Sequence, residues 1–153
     1  MKILMVCLGN ICRSPLAEGI MRDKIKKYNL DWEADSAGTG GWNIGASPHR
    51  LAQKIAKQHG INISGLQARA FVKEDIVRFD KIYVMDKENY IEVKRITENF
   101  WDASKVDFIM NLVYPNENRE ILDPWYANND AAFEAVYQMV DKACENLITK
   151  MNR

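Results

Sequence analysis

The stretch KILMVCLGNICRSP, residues 2–15, constrains this chain more than any other. KILMV (2–6) is a short apolar run bounded by Gly9, the pattern of a buried parallel strand. Ser14-Pro15 then reads as N-cap and first helical residue, and LAEGIMRDKIKKY continues as an amphipathic helix. A strand that passes through a tight loop straight into a helix is the opening unit of an α/β fold. Ligands in such folds bind beyond the carboxyl ends of the strands, where Cys7 stands.

The rest of the chain keeps that alternation. WEADSAG (32–38) is a second strand, running into the Gly-rich loop GTGGWNIG. Ser47-Pro48 opens a helix through HRLAQKIAKQH, which Gly60 ends. KEDIVRF is a short helical stretch before a third strand, KIYVMD (81–86), and ENYIEVKRI forms the next helix. KVDFIMNLV (105–113) holds a fourth strand, and a long helix runs from about Asp130 to Lys150. Cys144 falls with Phe133, Val136, Tyr137, Val140 and Leu147 at helical spacing and reads as core. The expectation is a four-stranded parallel sheet flanked by helices, in one domain over residues 1–153.

Composition narrows the function. Net charge is zero, with 21 basic and 21 acidic side chains, so bulk charge points to neither nucleic acid nor a membrane surface. No apolar run reaches the ~18 residues of a membrane span. MKILMVCLGN is interrupted too early for a secretory signal, and the expected setting is a reducing cytoplasm. The three cysteines, Cys7, Cys12 and Cys144, make no disulfide framework. His49 and His59 lie far from Cys7 in sequence, and a Cys-x4-Cys spacing alone is weak evidence for zinc, so no metal and no cofactor are expected.

That leaves Cys7 as a packed residue or a nucleophile, and the loop Leu8, Gly9, Asn10, Ile11, Cys12 weighs on the choice. A loop entering a helix N-terminus aims backbone N–H groups into one small space, beside the positive end of the helix dipole. Gly9 and Asn10 are the residues best able to adopt the left-handed conformations that curl it into an anion nest. Arg13 adds a planar fork able to grip two oxygens of one phosphate. A thiol beneath such a guest is favoured as the thiolate, and Ser14 is placed to donate a hydrogen bond to it. Phosphate is the guest these residues suit, with Cys7 below it.

CLGNICRSP resembles the phosphate-binding loop of the low-molecular-weight protein tyrosine phosphatases. The resemblance runs on through DSAGT (35–39), WNIG (42–45), HGI (59–61), ARA (68–70), MD (85–86) and DPWY (123–126), nearly the whole chain. It implies a three-layer, Rossmann-like fold of the phosphotyrosine protein phosphatase I type. It also implies a phosphocysteine intermediate on Cys7, Arg13 as phosphate and transition-state clamp, Asn10 as the residue that holds the loop in shape, and Ser14 easing departure of the thiolate. Tyrosine leaves as a poor leaving group, so a proton donor is needed. By resemblance that donor is Asp123, which then activates the water that clears phosphate from Cys7. A phosphate dianion beside a carboxyl favours its protonated form, so a slightly acidic optimum is expected.

The same resemblance places Trp42, Asn43, Trp125 and Tyr126, with Leu8, at the rim of the substrate cleft. A Trp in the polar, Gly-rich GTGGWNIG is hard to explain as core. Arginine phosphatases of this family carry threonine where this chain has Ile11, and the branched apolar side chain favours an aromatic ring over a guanidinium. Phosphotyrosine proteins or aryl phosphates are the expected substrates, with phosphate as product and a monomer as the expected state. For Cys12 the resemblance implies a reversible disulfide with an oxidised Cys7, against plain packing. One departure stands out: SGLQAR puts Leu66 where many members carry a histidine supporting the loop asparagine, which leaves Ser36 to brace Asn10. His59 reads as a helix-end residue.

Three rivals fit less well. A related arsenate reductase relays oxidation through two further cysteines near residues 75–90, where this chain has KEDIVRFDKIYVMDK. A phosphocysteine carrier must keep its phosphoryl group from water and has no use for Arg13 with Asp123. A module that only binds phosphotyrosine has no need of all three of Cys7, Arg13 and Asp123.

Overall fold

The computed structural model describes residues 1–151. Four strands, β1 (Lys2–Cys7), β2 (Glu33–Gly38), β3 (Lys81–Val84) and β4 (Val106–Phe108), form one parallel sheet in the order β2-β1-β3-β4. Among the described residues five α-helices cover it: α1 (Arg13–Lys27), α2 (Arg50–Gln58), α3 (Asp75–Arg78), α4 (Lys87–Thr97) and α5 (Asp130–Met151).

The two-residue period of β1 divides the core. Ile3, Met5 and Cys7 face Leu16 and Ile20 of α1, Leu51 and Ile55 of α2, and Phe133, Val140 and Cys144 of α5. Leu4 and Val6 point the other way, against Ile76 of α3 and Val93 of α4. The expected three-layer α/β arrangement is what the chain adopts, and Cys144 is core as read from its spacing.

The chain leaves β1 to build β2 on one side and then crosses to build β3 on the other. The carboxyl end of β1 is therefore the switch point of the sheet, where α/β folds place ligands. Cys7 is the last residue of β1.

Two local readings, both of helix starts, are corrected. Helix α1 starts at Arg13 with Cys12 as its N-cap, so Ser14 lies inside the first turn and its hydroxyl is spent on Cys7. Pro15 still falls in the first turn, where its missing N–H costs nothing. Helix α2 is capped by His49, whose Nδ1 accepts from Leu51 N at 3.0 Å, and not by Ser47. The fourth strand lies within 105–113 as expected, over Val106–Phe108, and Ile109–Leu112 after it coil into a 3-10 turn packed against α5.

Candidate active site

The loop after β1 is held with its carbonyls turned outward. Cys7 O accepts from Thr39 N (3.0 Å), Leu8 O from Gly40 N (2.8 Å), Ile11 O from His49 N (2.7 Å) and Gly9 O from Asn43 Nδ2 (3.3 Å). Asn10 sits at φ 56°, the left-handed turn expected of it, whereas Gly9, of which the same was expected, does not enter that region. Gly38 lets the loop approach β2: a Cβ there would meet Leu8 O at 2.7 Å and Asn10 N at 3.1 Å. Among the described residues, the amides of Gly9, Asn10, Ile11 and Cys12 donate to no protein acceptor, the character of an anion nest.

Cys7 is 2% exposed, and Ser14 Oγ lies 3.0 Å from its Sγ. Behind it Asn10 makes three bonds. Its Nδ2 donates to Ser14 Oγ (2.7 Å) and Ser36 Oγ (3.0 Å), and its Oδ1 accepts from Arg69 N (3.0 Å). The expected brace from Ser36 is present. Asn10 is fully satisfied without a side chain from position 66, and Leu66 packs against the core instead.

Arg13 is buried, and one side of its guanidinium is anchored. Nη1 donates to Asp86 Oδ2 at 2.7 Å and to Ile121 O at 2.8 Å. Among the described residues Nε has no hydrogen-bond partner, although it is buried. Burial works against the charge, but Cys7, Asp86 and Asp123 outweigh it and hold Arg13 protonated. An unpartnered buried donor beside a ring of free amides is costly unless an oxyanion meets it.

Asp123 faces this donor set, with Oδ2 3.8 Å from Arg13 Nη2. Its Oδ1 accepts from Trp125 N at 3.1 Å, which fixes the carboxylate within its turn. Ile121 holds the loop in place from the same strand end, because its N–H donates to Met85 O at 2.8 Å while its carbonyl takes Arg13.

These groups enclose a cleft of about 250 Å³, lined by Cys7, Leu8, Gly9, Ile11, Cys12, Arg13, Trp42, Asn43, Asp123, Trp125 and Tyr126. Every expected cleft residue is among them; Asn10 and Ser14 act on Cys7 from behind. Trp42, Trp125 and Tyr126 are 69%, 53% and 79% exposed, so they form a rim and not a core. Trp42 lies over Gly40, where any Cβ would come within 2.2 Å of the ring. Trp125 and Tyr126 meet edge to face. Burial, with Asp123 and Cys7 adding to it, pushes the Cys12 thiol up to about 12 against the pull of Arg13. His59 pairs with Glu134 and stacks on Tyr137 at the α2–α5 contact, a helix-end role as read.

Two contributors were not read from the sequence. Asp86 was seen only as part of an MD pair, and Ile121 acts through its backbone. Their pairing with Arg13 follows from sheet order, which no local pattern prints.

A family model described as low molecular weight phosphotyrosine protein phosphatase matches residues 2–153. The chain is 40% identical over 153 residues to the low molecular weight protein-tyrosine-phosphatase YfkJ of Bacillus subtilis, covering 99% of this chain and 96% of that one. It is 43% identical over 148 residues to the protein-tyrosine-phosphatase PtpA of Staphylococcus aureus, covering 95% and 90%. The crystal structure of YfkJ matches with a TM-score of 0.90 at 38% identity, over 99% of this chain and 94% of that one. A Drosophila arginine phosphatase matches with a TM-score of 0.90 at 32% identity, over 100% and 99%.

Proposed function

The chain belongs to the low molecular weight phosphotyrosine protein phosphatase family, and on that premise we propose that it hydrolyses phosphotyrosine and small aryl phosphates through a phosphocysteine on Cys7. The carrying observation is the buried Arg13 Nε without a partner, set beside Cys7 and opposite Asp123.

In the first step the Cys7 thiolate attacks phosphorus in line with the aryl oxygen. The S–P bond forms as the P–O bond breaks, and the Asp123 carboxyl gives its proton to the departing phenolate. The loop amides and Arg13 hold the three equatorial oxygens as charge spreads over them. In the second step the Asp123 carboxylate takes a proton from water, water attacks phosphorus, and the S–P bond breaks. Phosphate leaves, and Ser14 donates to the restored thiolate. Each role falls to a side chain or amide of the chain, so the mechanism invokes no metal or cofactor.

The substrate reading rests on the walls. Ile11, Trp42, Trp125 and Tyr126 offer apolar faces to a flat aryl group. A phosphoguanidinium would carry positive charge against the branched side chain of Ile11. Cys12, in the same loop, is placed by this reading to condense with an oxidised Cys7: Cys7 sulfenic acid and the Cys12 thiol give a disulfide and water. No helix among the described residues is long and apolar enough to cross a membrane. We propose a monomer working in the cytoplasm.

The test is hydrolysis of matched phosphotyrosine and phosphoarginine peptides with EDTA present, for wild type and Cys7→Ser. Phosphotyrosine turnover that vanishes in Cys7→Ser is expected. Preference for phosphoarginine overturns the substrate reading, and metal-dependent turnover overturns the mechanism.

A further inference from the structure

Glu18 lies on α1 one turn beyond Ser14, 2% exposed and outside the cleft, with no part in the two steps above. Its Oε1 accepts from Ser36 Oγ at 2.6 Å. Arg22 Nη2 lies 2.7 Å from its Oε2, as an ion pair without hydrogen-bond alignment.

The protons around Asn10 can be followed one by one. The Arg69 amide can only donate, so the Asn10 atom it meets is the carbonyl oxygen. The Asn10 amide group is thereby turned to Ser14 and Ser36 and gives one N–H to each. Each hydroxyl, having accepted, has one proton left to place. Ser36 gives its proton to Glu18, and among the described residues Ser14 has only Cys7 Sγ to give its proton to.

We propose that Glu18 is a positioning residue: its carboxylate takes the Ser36 proton and so keeps the Ser36 oxygen turned to accept from Asn10, which steadies the Asn10 amide whose other N–H leaves the Ser14 proton for Cys7. The proposal rests on the reading of Cys7 as the nucleophile. If Glu18 could not accept, Ser36 would turn its proton toward the Asn10 amide, and Asn10 would lose one of its two hydroxyl partners. The thiolate would then be met by a less constrained Ser14. Burial holds the Glu18 carboxyl above the ordinary carboxylate range; Ser36 and Arg22 pull the other way, Asp35 adds to the rise and Arg69 opposes it. A buried carboxylate is costly to keep unless its bonds are used.

The arrangement supplies its own control. In Glu18→Gln, Arg22 draws the new carbonyl and leaves the NH2 group facing Ser36, which turns the Ser36 proton toward the Asn10 amide and breaks that bond. In Glu18→Gln/Arg22→Met the carbonyl is free to face Ser36 again. Two rates are read for each variant: alkylation of Cys7 by iodoacetate at pH 7, located by peptide mapping, and steady-state hydrolysis of p-nitrophenyl phosphate.

For Glu18→Gln a loss of about tenfold in alkylation rate and in kcat is expected, the size of one hydrogen bond to a charged group, with KM within about twofold. The double variant recovers most of it. In a Ser36→Ala background Glu18→Gln adds no further loss. Wild-type rates in Glu18→Gln overturn the proposal, as does a loss that Arg22→Met leaves in place or one that adds to Ser36→Ala. Should Glu18→Gln not fold, Ser36→Ala alone decides: the same loss supports the chain, and wild-type rates overturn it. A wild type that is alkylated at Cys7 yet hydrolyses no aryl phosphate overturns the phosphatase reading, while the alkylation series still tests Glu18.

Discussion

Asp86 Oδ2 and Arg13 Nη1 lie 2.7 Å apart across the carboxyl ends of β3 and β1, and this pair turns the other side of the guanidinium toward Cys7 and the cleft. Asp86 also caps α4 through Asn89 N at 2.9 Å, so the anchor of Arg13 is tied to a helix start as well as to a charge.

Removing only the charge separates those two duties. Asp86→Asn keeps a capping oxygen but weakens the hold on Arg13. A fall of roughly 10–100-fold in kcat/KM for phosphotyrosine is expected, the worth of a charge-assisted hydrogen bond, with little change in melting temperature. Steady-state kinetics beside a thermal melt checks it. Unchanged kinetics would show that Ile121 O alone positions Arg13.

The leaving group reads the role of Asp123. Phenyl phosphate needs a proton on departure, and p-nitrophenyl phosphate needs one far less. Asp123→Ala should lower kcat/KM, which reports the first step, by roughly 10²–10⁴-fold on phenyl phosphate and by clearly less on p-nitrophenyl phosphate. Equal losses on both esters would contradict an acid role for Asp123.

Much of this site could be read from the sequence because it is local. Cys7, Asn10, Arg13 and Ser14 lie within one strand–loop–helix unit, where spacing dictates geometry. Asp123, Trp125 and Tyr126 were legible through DPWY, and Trp42 through its place in a Gly-rich loop. Asp86, Ile121 and Glu18 were not, since each acts through partners that only the parallel sheet brings together. The helix starts misled for a related reason. Ser14 looks like a cap but bonds Cys7 instead, and His49 caps α2 with a ring nitrogen that no capping preference names. The end of the fourth strand was not legible, because Ile109–Leu112 pack against α5 as a 3-10 turn and hydrophobicity alone does not tell the two apart.

His49 gives a pH dependence with a definite sign. Burial, then Arg50, lowers its pKa below the ordinary value of 6.5, with Asp123 opposing, and only the neutral ring can accept from Leu51 N. A histidine with a depressed folded pKa contributes stability above its unfolded pKa and loses it as pH falls through the folded one. Asn caps a helix without titrating in that range. Urea midpoints at pH 7.5 and 5.5 should therefore drop more for wild type than for His49→Asn. Parallel curves would remove His49 from the account.

Cys12 is tested by oxidation. Its thiol, pushed up to about 12, is a poor target for alkylation at neutral pH but can still trap an oxidised neighbour. After hydrogen peroxide and then dithiothreitol, wild type should regain most of its activity and Cys12→Ser little of it. Equal recovery would leave Cys12 a packing residue.

The most direct test of the central claim is to catch the phosphoenzyme. Asp123→Ala, mixed with p-nitrophenyl phosphate and quenched within milliseconds, should retain a phosphoryl group because water is no longer activated. Peptide mass spectrometry should then place it on Cys7. A phosphoryl group on any other residue, or none while p-nitrophenol is released in a burst, would contradict the thiolate mechanism.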